Sequence, residues 1–206
     1  MRKTRISLII GLVVLSCLGT ADAVIFPFQI FTNNGEYNDN PGAIFKVDVT
    51  NGEGTAKFTF YNESTFDCVI AAIYFDDGSL LGIDEIINGP GTEFEKDGPG
   101  NLPGGNLLNP PFVADREFNI GADNPAPQKG VNAIPTGEWI QIKFNLISGG
   151  TIQDVINELH TGELRIGLHI ISFPDGKSES AVNNTPEPAT IVLLGLGSLL
   201  LLRKRK

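Results

Sequence analysis

The chain has 206 residues, 15 of them Lys or Arg and 24 Asp or Glu, for a net charge of −9. Two terminal segments, 1–23 and 186–206, hold seven of the basic residues and two of the acidic ones, so the region between them carries 8 basic against 22 acidic residues, a net charge of −14. A surface of that sign lacks the clustered Lys and Arg that nucleic acid or anionic lipid requires, which excludes nucleic-acid binding, and it favours solubility and weak association with cations.

Arg2, Lys3 and Arg5 precede an apolar stretch from Ile6 to Leu18. Ala21-Asp22-Ala23 then places small residues at −3 and −1 of a bond before Val24. That order reads as a secretory signal peptide over 1–23, cut by signal peptidase. The alternatives are an uncleaved anchor, for which the apolar stretch is short of the about 20 residues that span a bilayer, and a lipoprotein using Cys17. With Cys17 in the signal peptide, Cys68 has no partner for an internal bridge. It lies in "DCVIAAIYF" and is expected to be a buried, inert thiol rather than a nucleophile.

The rest of the chain alternates. Ala43–Thr50 and Thr55–Asn62 flank Asn51-Gly52-Glu53-Gly54, a hairpin signal. Phe58 and Phe60 should point one way, and Lys57, Thr59 and Tyr61 the other. "CVIAAIYF", Asp76-Asp77-Gly78-Ser79 and "LLGIDEII" read as a second hairpin. Asn88 to Pro111 is rich in Gly and Pro, and a loop of that length crosses between sheets or forms a functional rim. "FVADREFNI" alternates again, and Asp123 to Thr136 is a further Pro/Gly loop. In "EWIQIKFNLI", Trp139, Gln141, Lys143 and Asn145 oppose Ile140, Ile142, Phe144 and Leu146. Thr151-Ile152-Gln153-Asp154 resembles a capping box, followed by Ile152, Val155, Ile156 and Leu159 at helical spacing, with Gly162 as the stop. "ELRIGLHIISF" puts Leu164, Ile166, Leu168 and Ile170 on one face. These elements predict one mainly β domain over 24–173, a Greek-key-like β-sandwich with one short helix. Residues 174–185 read as a polar linker.

The last segment has its own logic. The apolar run from Ala189 to Leu202 reaches about 21 Å of a ~30 Å hydrocarbon core. Arg203, Lys204, Arg205 and Lys206 form a basic stop that prefers the cytoplasmic side, as does the N-terminal basic cluster. Pro186 and Pro188 keep a helix from extending upstream. Pro186-Glu187-Pro188, the short hydrophobic transmembrane helix and the basic tail together resemble the PEP-CTERM sorting signal of Gram-negative bacteria, over 186–206. The same signature is also catalogued as an ice-binding protein C-terminal domain, although flat regular Thr arrays are absent. "IYFDDGSLLGI", "LPGGN", "PPFVADREF", "GVNAIPTGEWIQIKF" and "LRIGLHI…SES" are similar to an uncharacterised domain recurrent in PEP-CTERM proteins. The resemblance implies recognition by an exosortase at the inner membrane, removal of the tail, and delivery to the cell surface or medium, often beside exopolysaccharide. The membrane would be touched only through the tail, before processing.

Candidate chemistry between the ends is sparse. His160 closes the helix, and His169 shares a strand face with Arg165. Asp76/Asp77, Asp84/Glu85 and Glu93/Glu95/Asp97 are paired carboxylates without the D-x-D-x-D-G spacing of a calcium loop. Trp139, Tyr37, Tyr61 and Tyr74 are the aromatics available to stack on a sugar. No catalytic residue, cofactor or metal ligand is assigned. The expectation is a non-enzymatic exported surface or extracellular-matrix protein with a binding or structural role, extracellular polysaccharide being a candidate partner. The alternatives are a secreted carbohydrate-active enzyme using two carboxylates and a calcium-dependent adhesive module.

Overall fold

In the computed structural model, residues 23–98, 100–121, 129–133 and 137–183 are described. The expected signal segment up to Asp22 and the sorting segment 186–206 lie outside them, as does most of the Asp123–Thr136 loop. Eleven strands form: β1 Val24–Ile30, β2 Phe45–Gly52, β3 Thr55–Asn62, β4 Val69–Asp76, β5 Leu81–Asn88, β6 Glu95–Asp97, β7 Arg116–Asn119, β8 Val131–Asn132, β9 Trp139–Leu146, β10 Arg165–Ile171 and β11 Glu179–Asn183. Among the described residues, one helix, α1 Ile152–Thr161, and a single 3-10 turn at Gly105–Leu107 complete the set.

Every strand pairing is antiparallel, and the sheet runs β5-β9-β3-β2-β1-β11-β10-β4-β7-β6, with β8 also on β4. β1 serves two neighbours in succession. Val24 to Pro27 pair with Val49 to Lys46 of β2, whereas Phe28 to Ile30 pair with Asn183 to Ala181 of β11. The sheet curls there and its two halves face each other. Their inward residues meet in a phenylalanine cluster: Phe75 of β4 lies 5.3 Å from Phe58 and 4.9 Å from Phe144, centroid to centroid, both edge-on. Such geometry suits the ring quadrupoles. Phe60 and Phe118 complete the cluster, and all five rings are fully buried.

Periodicity accounts for the first half directly. β9 alternates buried and half-exposed residues from Trp139 to Phe144, and β3 sends Phe58 and Phe60 inward as expected. The β2–β3 hairpin closes as read, with Gly52 opposite Thr55. Helix α1 also forms as read. The Thr151 hydroxyl accepts from the Asp154 N–H, the Asp154 carboxylate accepts from the Thr151 N–H at 2.8 Å, and Gly162 ends the helix at φ 80°. Val155 and Leu159 are buried.

Two expectations are corrected. β4 and β5 are not a hairpin: β4 lies between β10 and the β7/β8 pair, and β5 lies on β9 in the other half. Seven consecutive residues of β4 are buried, which an edge strand of a half-solvated hairpin would not be. The Asp77-Gly78-Ser79 turn therefore carries the chain from one half to the other. Nor is 174–185 all linker, because Glu179–Asn183 is a central strand between β1 and β10. Its polar residues are satisfied in part inside the fold, the Ser180 hydroxyl and the Asn183 amide nitrogen having no hydrogen-bond partner among the described residues. The Glu179 carboxylate, 1% exposed, accepts from the N–H groups of Asn34 (2.9 Å) and Gly35 (2.7 Å) and from the Thr32 hydroxyl. The Asn183 side-chain oxygen accepts from the Ile166 N–H at 2.7 Å. A buried carboxylate is tolerated where donors converge on it in this way.

Candidate functional site

The outer faces of the two halves differ in what covers them. On the second half, the chain from Leu102 to Ala114 lies over β4 and β10. Leu102, Phe112 and Ala114 pack on Ala72 and Tyr74, with Phe31, Leu108 and Val182 at the margin. Gly167 permits the approach, since a Cβ there would sit 2.6 Å from a Leu102 methyl. The long Gly/Pro-rich segment thus acts as a cover, and it carries Leu107 and Val113 with 68% and 65% exposure.

Among the described residues the first half has no such cover. Register places its outward residues in rows. Pro27 faces Lys46, Lys46 faces Tyr61, and Tyr61 faces Trp139 across the four strands β1, β2, β3 and β9. The next row runs Ile25, Asp48, Thr59, Gln141 and Ile87, and the third includes Thr50, Lys57, Lys143 and Glu85. The Lys46 ammonium sits 5.1 Å from the Tyr61 ring centroid, within cation–π range. It also pairs with Glu63 at 2.7 Å, and that hydrogen bond raises its pKa. Burial is the main cause that lifts the Tyr61 phenol above its usual range. The Gln141 amide donates to the Thr59 hydroxyl at 2.9 Å, and Lys143 pairs with Glu85 at 3.1 Å. Trp139 rests on Gly89, where any Cβ would come within 2.7 Å of the indole. Lys57 stands directly opposite Lys143, a like-charge pairing that costs stability in a sheet.

Of the four aromatics singled out from sequence, the fold brings Tyr61 and Trp139 together. Tyr37 instead joins Phe66 and Phe173, with centroids at 4.7 and 5.7 Å. Tyr74 is buried under the cover, and burial pushes its phenol far up. Alternation assigns Lys57, Thr59, Gln141 and Lys143 outward positions, but their meeting depends on pairing β3 with β9, strands about 80 residues apart. Alternation carries no signal for that partner choice.

The paired carboxylates are distributed among cations. Asp76 binds the Arg165 guanidinium, which also donates to the Pro110 and Pro111 carbonyls at 2.7 Å each and lies 5.2 Å from the Phe112 ring. Arg116 bridges Asp77 at 2.9 Å, Asp84 at 3.2 Å and the Leu81 carbonyl at 2.9 Å. Burial raises the Asp77 carboxyl against the pull of that arginine. Lys96 holds the same Asp84 oxygen at 2.6 Å, and Lys129 holds Glu93. Asp97 accepts from the Gly98 N–H and the Asn119 amide, which together keep its carboxyl below the usual range. Glu95 is exposed. Arg165 is thereby anchored to Asp76, away from any joint site with His169, whose pKa burial lowers. His160, at the helix end, lies against Phe26 at 5.0 Å.

Cys68 is 2% exposed and its thiol is pushed up by burial. It lines a pocket of about 180 Å³ with Asp67, Val69, Asn132, Ala133 and Ser172. Among the described residues, no group of three or more His, Cys, Asp or Glu is placed to hold a metal ion, and no helix is long and apolar enough to cross a membrane.

Comparison with known proteins speaks for the tail. No match was found among curated proteins or among solved structures. Residues 184–206 match the family described as the PEP-CTERM protein-sorting motif, so the chain carries that motif and, through it, the mark of an exported protein sorted by an exosortase.

Proposed function

We propose that the sandwich is a non-catalytic binding protein of the cell surface or extracellular matrix, which holds polysaccharide on the bare outer face of its first half. One observation carries this reading: Tyr61 and Trp139 adjoin on an uncovered five-strand face, edged by Lys46, Lys57, Gln141 and Lys143. Sugar rings present apolar C–H faces to aromatic rings and a rim of hydroxyls to hydrogen-bonding side chains. A sheet face offers both along a chain of sugars. The binding reading is further supported by the engagement of Asp76, Asp77 and Asp84 with Arg165, Arg116 and Lys96.

Affinity electrophoresis in gels containing dextran, a neutral polymer, or polygalacturonate, an acidic one, tests this. The protein should be retarded by at least one polymer, and Trp139→Ala should weaken retention about tenfold, equivalent to ~1.4 kcal/mol. Free migration of the wild-type protein in both gels would refute the proposal.

A further inference from the structure

The central position of β11 bears on how the sorting tail is removed. Ala181 and Val182 are paired on both sides, with Ile30 and Gln29 of β1 and with Leu168 and Gly167 of β10. Asn183 pairs with Phe28, binds the Ile166 N–H through its side chain and is 2% exposed. At the other end of the strand, Glu179 is fixed by Thr32, Asn34 and Gly35. Only Asn184 and Thr185 separate this strand from Pro186.

An enzyme that cuts a peptide bond takes several residues on each side of it into its groove as an extended strand, and those residues must be free of other pairing. Residues 179–183 meet that condition only if β11 leaves the sheet. Its departure would expose the Glu179 donors and open the seam between the two halves of the sandwich. Such sub-global opening is rare in a folded domain, and cleavage through it is limited by the open fraction.

The geometry points to a cut on the C-terminal side of Pro186, made on the folded domain, so that the product keeps β11 and a short stub of the motif. This inference rests on exosortase processing of the tail. The six residue steps from Asn183 to Ala189, where the apolar run begins, span at most roughly 20 Å. The folded sandwich therefore stands against the membrane while the enzyme works, and it restricts the approach to the bond.

The test uses the full chain in cells that contain the exosortase, with intact mass and C-terminal peptides of the exported product as readout. The product should retain every residue through at least Pro186. A product ending at Thr185 or earlier would overturn the inference while leaving sorting intact. Insertion of Gly-Ser-Gly-Ser after Asn183 should leave the cut at the same bond counted from Pro186 and speed it severalfold. An unchanged rate would refute restriction by the sheet. A third arm separates the two readings: the Pro186→Ala, Glu187→Ala variant should stay uncut with Arg203 to Lys206 attached. If it is cut like the wild type, the motif is not what the enzyme reads, and the sorting premise fails instead.

Discussion

The two halves of the sandwich share one core and differ on their outer faces. β9 in the first half reads apolar at alternate positions, and its polar side meets solvent. β4 in the second half is buried at seven successive residues because the Leu102–Ala114 cover lies on its far side. The pattern of a strand thus records how many of its faces are covered, rather than whether it is a strand. A long irregular loop is the counterpart of a continuous apolar strand elsewhere in the chain. Conversely, a face left bare while its opposite number is covered is the natural place to look for a ligand.

Substitutions on matching positions of the two faces probe this contrast. Phe112→Ala should strip the cover and cost about 3 kcal/mol in denaturant unfolding, as large-to-small changes at buried aromatics do. Trp139→Ala on the bare face should cost about a third of that. Equal losses would mean that the first half is covered as fully as the second. Gly167→Ala forces a methyl into Leu102, and overpacking of this kind should cost about 2 kcal/mol, visible as a lowered Tm. Lys57→Thr should go the other way, raising stability by a few tenths of a kcal/mol through loss of the Lys57–Lys143 repulsion. Its stability gain should come with weaker retention by polysaccharide.

The smallest effect concerns pH. Burial is the leading cause that raises the Glu158 carboxyl above its ordinary value of 4.5, with Glu163, Asp154 and Asp77 adding to it. In the window between 4.5 and the raised value, the folded state binds more proton than the unfolded one. This group's contribution to stability therefore grows as pH falls through that window and levels off below it. Glu158→Gln should remove that rise. Thermal melts from pH 7 to about 4 should show the variant the more stable at neutral pH and the difference shrinking with acid. Carboxylates with the opposite sign that do not act on Glu158, Asp97 and Asp175, lose stabilisation in acid in both proteins and cancel in the comparison.

How much of this was legible beforehand follows from the range of the interactions. The β2–β3 hairpin, the inward Phe58 and Phe60, the alternation of β9 and the capping box of α1 are local, and each was readable within about ten residues. Strand partners were not, because the Asp-Gly turn after β4 suits a hairpin and a crossing between halves equally well. β11 was missed for a different reason. "SESAVNN" is polar, and its Glu179 looks like a solvated residue until Thr32, Asn34 and Gly35, over 140 positions away, are seen to converge on it. The aromatic-lysine face was half legible: alternation gave the outward side chains of β3 and β9, and register alone made them neighbours.

β1, the strand shared by both halves, sets where the chain enters and leaves. β11 runs against it with Asn183 opposite Phe28 and Ala181 opposite Ile30, so the direction past Asn183 is the direction back toward Val24. The first residue after the expected signal-peptide bond and the last paired residue before the sorting motif point to the same pole of the domain. A precursor still moored at both ends would be held from one side of the domain. In such a precursor folding would have no need to wait for either cut, and each cut would free a finished domain from one of its moorings.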